Sequence, residues 1–367
     1  MRIALSKSTL LVPPTYFALA HAVALRDEFD FRFFTLAAMV TDRTVGVPVD
    51  DFVPVRRMAF RWRERLIPAA MPVMARAIVR YRPSVIHQHF ATWSWPAVRA
   101  AHTAGVPLLT TLHGADVFTA TRAADTAMRR WHHHNIRLAC EQATLMLAVS
   151  SYLADVAVTA GFPSDRLQVH YQGIDTDLFT PGAGPEPARV LFVGSLSEHK
   201  GIRDLVRAST RLREQVPHEL VVIGDGPLAG GLARAARDLP HVTMCGQLDR
   251  AGVLDQMRRA SVMVVPSKES GGRREAAGLV LLEAQSCGTP VVAYASGGMP
   301  EMVDPESGLL VPEGDVDALT HAMSVMLSSD DLARAERGAS ARRFVIRERS
   351  LARSARELSG YYRLLAS

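Results

Sequence analysis

The sequence predicts an α/β protein made of two doubly wound Rossmann-like domains in tandem, and three observations predict it. Short β-branched runs alternate with longer segments of 3.6-residue apolar period along almost the whole chain, the pattern of repeated βα units that build parallel sheets. The rhythm breaks near Phe179-Thr180-Pro181-Gly182-Ala183-Gly184-Pro185-Glu186-Pro187, where Pro and Gly concentrate, and restarts at Arg189-Val190-Leu191-Phe192-Val193. The length, 367 residues, fits about two domains of roughly 150 residues each.

In the first domain, residues 1–183, strands are expected at 3–5, 31–36, 85–87, 108–111 and 145–149, with helices between them. Phe29, Phe31, Phe33 and Phe34 cluster around the second of these and read as core. In the second domain, residues 184–345, strands are expected at 189–193, 220–223, 242–245, 262–265, 290–293 and 308–311. Residues 346–367 form a charged helical tail expected to cross back to the first domain. Ligands of such sheets bind outside the carboxyl ends of the strands, so the chemistry is expected just after strands, in a cleft between the domains.

Composition narrows the class. A chain that is 48% hydrophobic and 22% charged can bury a full core without metal or disulfide staples. Cys140, Cys245 and Cys287 are odd in number and lie in apolar surroundings, which reads as buried thiols in a reducing compartment. No run reaches the ~18 apolar residues of a spanning helix, so the expected location is cytoplasmic. Residues 1–180 carry 19 Lys+Arg against 14 Asp+Glu, and residues 181–367 carry 23 against 23, so the +5 charge belongs to the first half. Much of it falls between 56 and 82, in Arg56, Arg57, Arg61, Arg63, Arg65, Arg76, Arg80 and Arg82, interleaved with Phe60, Trp62, Leu66 and Ile67. That stretch suits an anionic membrane surface, which would make the protein peripheral on the inner face of the membrane; a solvated helix face accounts for it equally well. No nucleic-acid-binding signature accompanies the charge. Three consecutive histidines, His132, His133 and His134, point in different directions on a helix, and no metal site is expected.

Three segments carry chemistry. Phe192-Val193-Gly194-Ser195-Leu196-Ser197-Glu198-His199-Lys200-Gly201 is a strand leading into a Gly turn with a lysine at the next helix, suited to a diphosphate. Gly224-Asp225-Gly226-Pro227 follows a second strand. In the third, Glu275-Ala276-Ala277-Gly278-Leu279-Val280-Leu281-Leu282-Glu283, eight positions separate two carboxylates, just over two helical turns. A loop-to-helix segment of that length can aim both at one side, where they suit the vicinal hydroxyls of sugars.

With Leu112-His113-Gly114-Ala115-Asp116 and Gly173-Ile174-Asp175-Thr176-Asp177-Leu178-Phe179-Thr180-Pro181, these motifs resemble, in order, the retaining GT-B glycosyltransferases of family 4. His87-Gln88-His89-Phe90 before them is similar to the colanic-acid and amylovoran enzymes of surface-polysaccharide synthesis. The resemblance implies a nucleoside diphosphate sugar as co-substrate, with a UDP-sugar expected and no cofactor or metal. It implies that Lys200 grips the diphosphate, that Glu283 accepts the ribose hydroxyls, and that Glu275 meets the donor sugar. Gly194, Ser195, Gly224 and the backbone of Ala277, Gly278, Leu279 and Val280 would line the donor site, with Gln247 and Leu248 at the base. His113 would serve the reacting sugar, and Ser8, Thr9, His89 and Asp116 would lie on the acceptor side.

Three departures from the family pattern stand out. Ser195 stands where the family has Arg, which leaves Lys268, Arg273 or Arg274 as replacement diphosphate cations. The usual Glu-Gly-Phe-Gly is Glu275-Ala276-Ala277-Gly278. The glycine-bearing loop after the first strand is replaced by Ser6, Lys7, Ser8 and Thr9, then Pro13-Pro14-Thr15-Tyr16. The acceptor is therefore open between a lipid-linked glycan and a soluble small molecule. A nucleotide-sugar epimerase and a non-catalytic anionic-surface module are the alternatives of other classes.

Overall fold

A computed structural model describes residues 1–12, 16–40, 46–53, 66–184, 186 and 188–367. The chain divides into two compact units, Met1–Gln172 with Ser354–Ser367, and Gly173–Arg353.

Among the described residues the first unit holds seven parallel strands: β1 Arg2–Val12, β2 Asp30–Val40, β3 Val49–Asp51, β4 Val85–His89, β5 Leu108–Leu112, β6 Leu145–Ala148 and β7 Leu167–Val169. Their order is β3-β2-β1-β4-β5-β6-β7, so the winding reverses between β1 and β4. Strands buried on both faces need near-continuous apolar sequence, which β6 and most of β2 supply. Side chains alternate between two cores. Leu5, Phe31 and Phe33 pack with the helix Phe17–Ala24 and the last helix, Leu351–Ala366, on one face, while Ala4, Phe34 and Ile86 pack with the helices Ile67–Tyr81 and Trp95–Ala104 on the other. Tyr362 fixes the last helix: its ring is fully buried 5.5 Å from Phe29 and 6.1 Å from Phe31, and its hydroxyl lies 2.7 Å from His87 Nδ1.

The second unit holds β8 Arg189–Val193, β9 Glu219–Ile223, β10 Val242–Gly246, β11 Val262–Val265, β12 Val291–Tyr294 and β13 Leu309–Val311. They form a parallel sheet of order β10-β9-β8-β11-β12-β13, with its reversal between β8 and β11.

Four expectations need correction. The division falls after Gln172 and not after residue 183, because the segment after it is tied to the second unit: Ile174 N donates to Arg349 O at 3.0 Å, and Arg342 reaches Phe179 O at 2.9 Å. Ser8 and Thr9 are not in a loop, since β1 continues to Val12 beside an equally long β2, with Thr9 level with Ala37. β3 and β7, three residues each, have no apolar run that announces them. Of the three cysteines only Cys287 is buried; there, burial pushes the thiol up to about 12. Among the described residues no helix is long and apolar enough to cross a membrane.

Replacing Tyr362 separates its hydrogen bond from its packing. Tyr362→Phe is expected to cost about 1 kcal/mol, and Tyr362→Ala about 3–5 kcal/mol, both read by chemical denaturation.

Candidate functional site

In the second unit the polar groups collect at the carboxyl ends of β8 and β11. Lys200 sits in the turn after β8, and its ammonium makes an ion pair with Glu275, in the loop that precedes the helix Leu279–Ser286. His199 Nε2 lies 3.8 Å from the same carboxylate. Burial raises the Glu275 carboxyl, but Lys200 and then His199 outweigh it, and the net shift is downward. The lysine is placed by its neighbour. Gly201 has φ +65°, and a Cβ there would stand 1.8 Å from Pro266 O, so only glycine lets this turn lie on the end of β11. The Glu275 carbonyl accepts from Gly298 N at 2.9 Å, which ties the loop to the turn after β12.

Gly278, at φ +79°, turns that loop into the helix Leu279–Ser286, whose N-terminus no side chain caps. Ala277 is buried, and Leu279 and Val280 open the helix. Glu283, on the next turn, makes no side-chain hydrogen bond or ion pair among the described residues, and its backbone carbonyl accepts from Cys287 N at 3.2 Å. Burial raises its carboxyl to about 7 against the opposing charge of Arg250. Glu275 and Glu283 thus sit in opposite electrostatic settings, one held ionised by a lysine and the other biased toward its proton.

The remaining donor-side positions fall as follows. Gly194 N donates to Ile223 O at 3.0 Å and Gly224 N to Gly246 O at 2.8 Å, so both glycines close the strand ends. Ser195 is exposed, as are Gln247 and Leu248 after β10. Lys268 donates to buried Asp204 at 2.7 Å, and Arg274 pairs with Glu313 at 3.3 Å. Arg273 is exposed, and its guanidinium pairs with no carboxylate among the described residues.

The first unit gathers histidines at the carboxyl ends of β4, β5 and β7. Gln172 Nε2 donates to His113 Nδ1 at 3.2 Å, which leaves His113 Nε2 to donate to His89 Nδ1 at 3.0 Å. His87 stacks on His89 at 4.4 Å and bonds Thr111 Oγ1 at 2.7 Å through Nε2. His21 and His170 both meet Ser354, at 2.8 Å and 3.1 Å. Burial lowers His87, His89, His113 and His170, and lowers His21 to about 3, so the cluster is neutral at physiological pH. Asp116, fully buried, accepts from the backbone of His113, Gly114 and Val117 on Oδ1 and of Ala91 on Oδ2. It holds the exits of β4 and β5 in place. Thr9 lies on β1, where its carbonyl accepts from Lys7 Nζ at 2.5 Å; Ser8 O accepts from Thr35 Oγ1 at 3.2 Å.

Sequence reading gave no role to Arg250, Gln172, His170 and His21, because only folding brings them to these sites, nor to His199 and Lys7, although His199 adjoins Lys200 and Lys7 follows the expected strand 3–5 closely. His132, His133 and His134 diverge as the helical pitch requires: His133 reaches Thr119 O at 3.1 Å, while His132 and His134 lie against Trp93 and Trp131.

Two parallel-sheet Rossmann-like units with these sites define the GT-B class. Residues 17–178 match the family described as Glycosyltransferase Family 4, and residues 187–329 match Glycosyl transferases group 1. A D-inositol 3-phosphate glycosyltransferase of Kribbella flavida is 33% identical over 71% of this chain and 68% of its own. A GDP-mannose-dependent alpha-(1-6)-phosphatidylinositol monomannoside mannosyltransferase of Mycolicibacterium smegmatis is 33% identical over 60% of this chain; the match spans 61% of that relative's length. Anabaena HepE, crystallised with UDP and glucose, superposes with a TM-score of 0.79 at 19% identity over 98% of this chain and 99% of its own. The chain belongs to the family 4 (group 1) glycosyltransferases. The relatives named here are a D-inositol 3-phosphate glycosyltransferase and a mannosyltransferase, not the colanic-acid type that the His87–Phe90 segment resembles.

The raised Glu283 carboxyl has a measurable consequence. A carboxyl at about 7 in the fold, against 4.5 ordinarily, binds its proton more tightly folded than unfolded, so its contribution to stability is lost as pH rises from about 4.5 through 7. Glu283→Gln is expected to gain on the natural chain by of order 2–3 kcal/mol between pH 5 and pH 8, read from denaturation midpoints across pH.

Proposed function

We propose that this chain is a glycosyltransferase that moves a sugar, with retention at the anomeric carbon and without a metal, from a nucleoside diphosphate sugar to a hydroxyl acceptor. The observation that carries the reading is the second unit's strand-end group: the Lys200–Glu275 pair, the carboxyl of Glu283 and an uncapped helix N-terminus. A UDP-sugar is the proposed donor, and a GDP-sugar is the variant that the mannosyltransferase relative suggests.

In this reading Glu283 accepts hydrogen bonds from the ribose, and Lys200 turns from Glu275 to the diphosphate. The freed Glu275 carboxylate accepts from hydroxyls of the donor sugar. The bond from the anomeric carbon to the diphosphate oxygen breaks as the acceptor oxygen attacks from the same face. The acceptor proton passes to the released diphosphate. Lys200, Arg273 and the N–H groups of Leu279 and Val280 stabilise the departing charge, so catalysis is positioning and electrostatics. Arg273 takes the role of the arginine missing at Ser195, since Lys268 and Arg274 are engaged by Asp204 and Glu313. His113 meets the reacting sugar as a neutral imidazole.

For the acceptor, a lipid-linked glycoconjugate in surface-polysaccharide assembly is the leading reading, on a protein peripheral to the inner face of the membrane. A groove of about 810 Å³ along the helices Ile67–Tyr81 and Trp95–Ala104 supports it, lined by Val73, Val79 and Trp95 together with Arg76, Arg80 and Arg99. Arg56, Arg57, Arg61, Arg63 and Arg65 lie outside the described residues. A soluble acceptor is the second reading, and dependence of activity on anionic liposomes separates the two.

The test is a titration of UDP-, GDP- and dTDP-sugars against the purified chain. One nucleotide is expected to bind selectively, with affinity falling roughly tenfold or more in Glu283→Ala and in Lys200→Ala. Arg273→Ala is expected to weaken it as well, whereas Lys268→Ala and Arg274→Ala leave it unchanged. Absence of binding by every member of the panel would remove the transferase reading and favour a surface-binding role.

A further inference from the structure

Lys7 is a buried cation that the chemistry above does not use. It is 8% exposed, and no carboxylate pairs with it among the described residues. Its ammonium has three donors, of which one bonds Thr9 O, and it sits 5.1 Å from the centre of the Phe90 ring. Burying an unpaired ammonium is costly, and here burial lowers it to about 8. The neutral histidines around it supply no counter-charge, and Asp116 spends both oxygens on backbone N–H groups.

Its place in the sheet gives the cost a purpose. The winding reverses between β1 and β4, and their pairing runs only from Ile3–Val85 to Ser6–Gln88. Lys7 and His89 come next in register on the same face, at the reversal of winding where doubly wound folds bind their ligands. Phe90, a non-glycine residue at φ +65°, holds its ring between this lysine and His113, 4.5 Å from the imidazole. With His89 Nδ1 accepting from His113, His89 carries its proton on Nε2, a second donor on the same sheet face as Lys7.

We propose that Lys7 and His89 form a subsite for an oxyanion, a carboxylate or phosphate group, on the acceptor, so that the acceptor class is acidic. The proposal rests on the transferase reading for the word acceptor, but the anion site itself is testable without it.

The full chain, labelled with ¹⁵N in its histidines, is titrated with inorganic phosphate and separately with acetate. The ring resonances of His89 and His113, assigned from His89→Gln and His113→Gln, are expected to shift saturably. The same titration in Lys200→Ala is expected to be unchanged, and in Lys7→Met roughly tenfold weaker or absent. Lys7→Gln gives a second uncharged variant should Lys7→Met not fold, and Lys7→Arg is expected to restore part of the binding. Response to phosphate alone assigns a phosphate ester, and response to both anions assigns carboxylates as well. No saturable shift, equal binding in Lys7→Met and Lys7→Gln, or loss only in Lys200→Ala would overturn the subsite. A chain that binds no nucleotide sugar yet shows the Lys7-dependent shifts would overturn the donor reading and leave the subsite standing.

Discussion

Charged and polar groups at the ends of buried parallel strands must be paired, neutral or ligated, and both units are organised by that constraint. The second sheet's inner strands β8, β11 and β12 are almost wholly apolar, and in the first sheet the buried polar side chains Lys7, His87, His89 and Thr111 lie toward the carboxyl halves of their strands. In the second unit the answer is pairing, with Lys200 on Glu275 and Lys268 on Asp204. In the first it is neutrality, with four buried imidazoles and the half-buried His113 sharing hydrogen bonds with Thr111, Gln172, Ser354 and Tyr362. Asp116 is a buried carboxylate satisfied wholly by backbone donors, and its work is to fix the loops that carry Ala91 and His113.

The two glutamates of the third motif show how environment divides identical side chains. Glu275, beside Lys200 and His199, keeps its charge, while burial raises Glu283 and the opposing charge of Arg250 offsets it only in part. A carboxylate that is already paired can exchange one partner for another when a ligand arrives. A carboxyl near neutrality gains its charge most readily when hydroxyl donors are brought to it. The spacing of eight residues places these groups on one segment. Their different behaviour comes from what the rest of the unit packs around each.

The strands with continuous apolar runs were legible because a strand buried on both faces leaves that signature. β3 and β7 were not, since a three-residue edge strand is held by its neighbour and needs no apolar run of its own. The length of β1 was obscured for a similar reason: Ser6, Lys7, Ser8 and Thr9 look like a loop, and only the equally long β2 beside them extends the ladder. The Pro and Gly composition near 183 marked a real change of rhythm, but the earlier Gly173–Thr180 segment is pinned by Arg342, Arg349 and Arg258, far away in sequence.

By itself the sequence determined the α/β class, the two sheets and the segments that carry Lys200, Glu275, Glu283 and His113, because local periodicity and Gly-bearing turns after strands are properties of neighbouring residues. Tertiary structure alone decided which cations are spent and which remain, which histidines meet, and that Lys7 lies buried where β1 parts from β4. Charge pairing and burial depend on groups scores or hundreds of residues apart, and no local pattern encodes that distance.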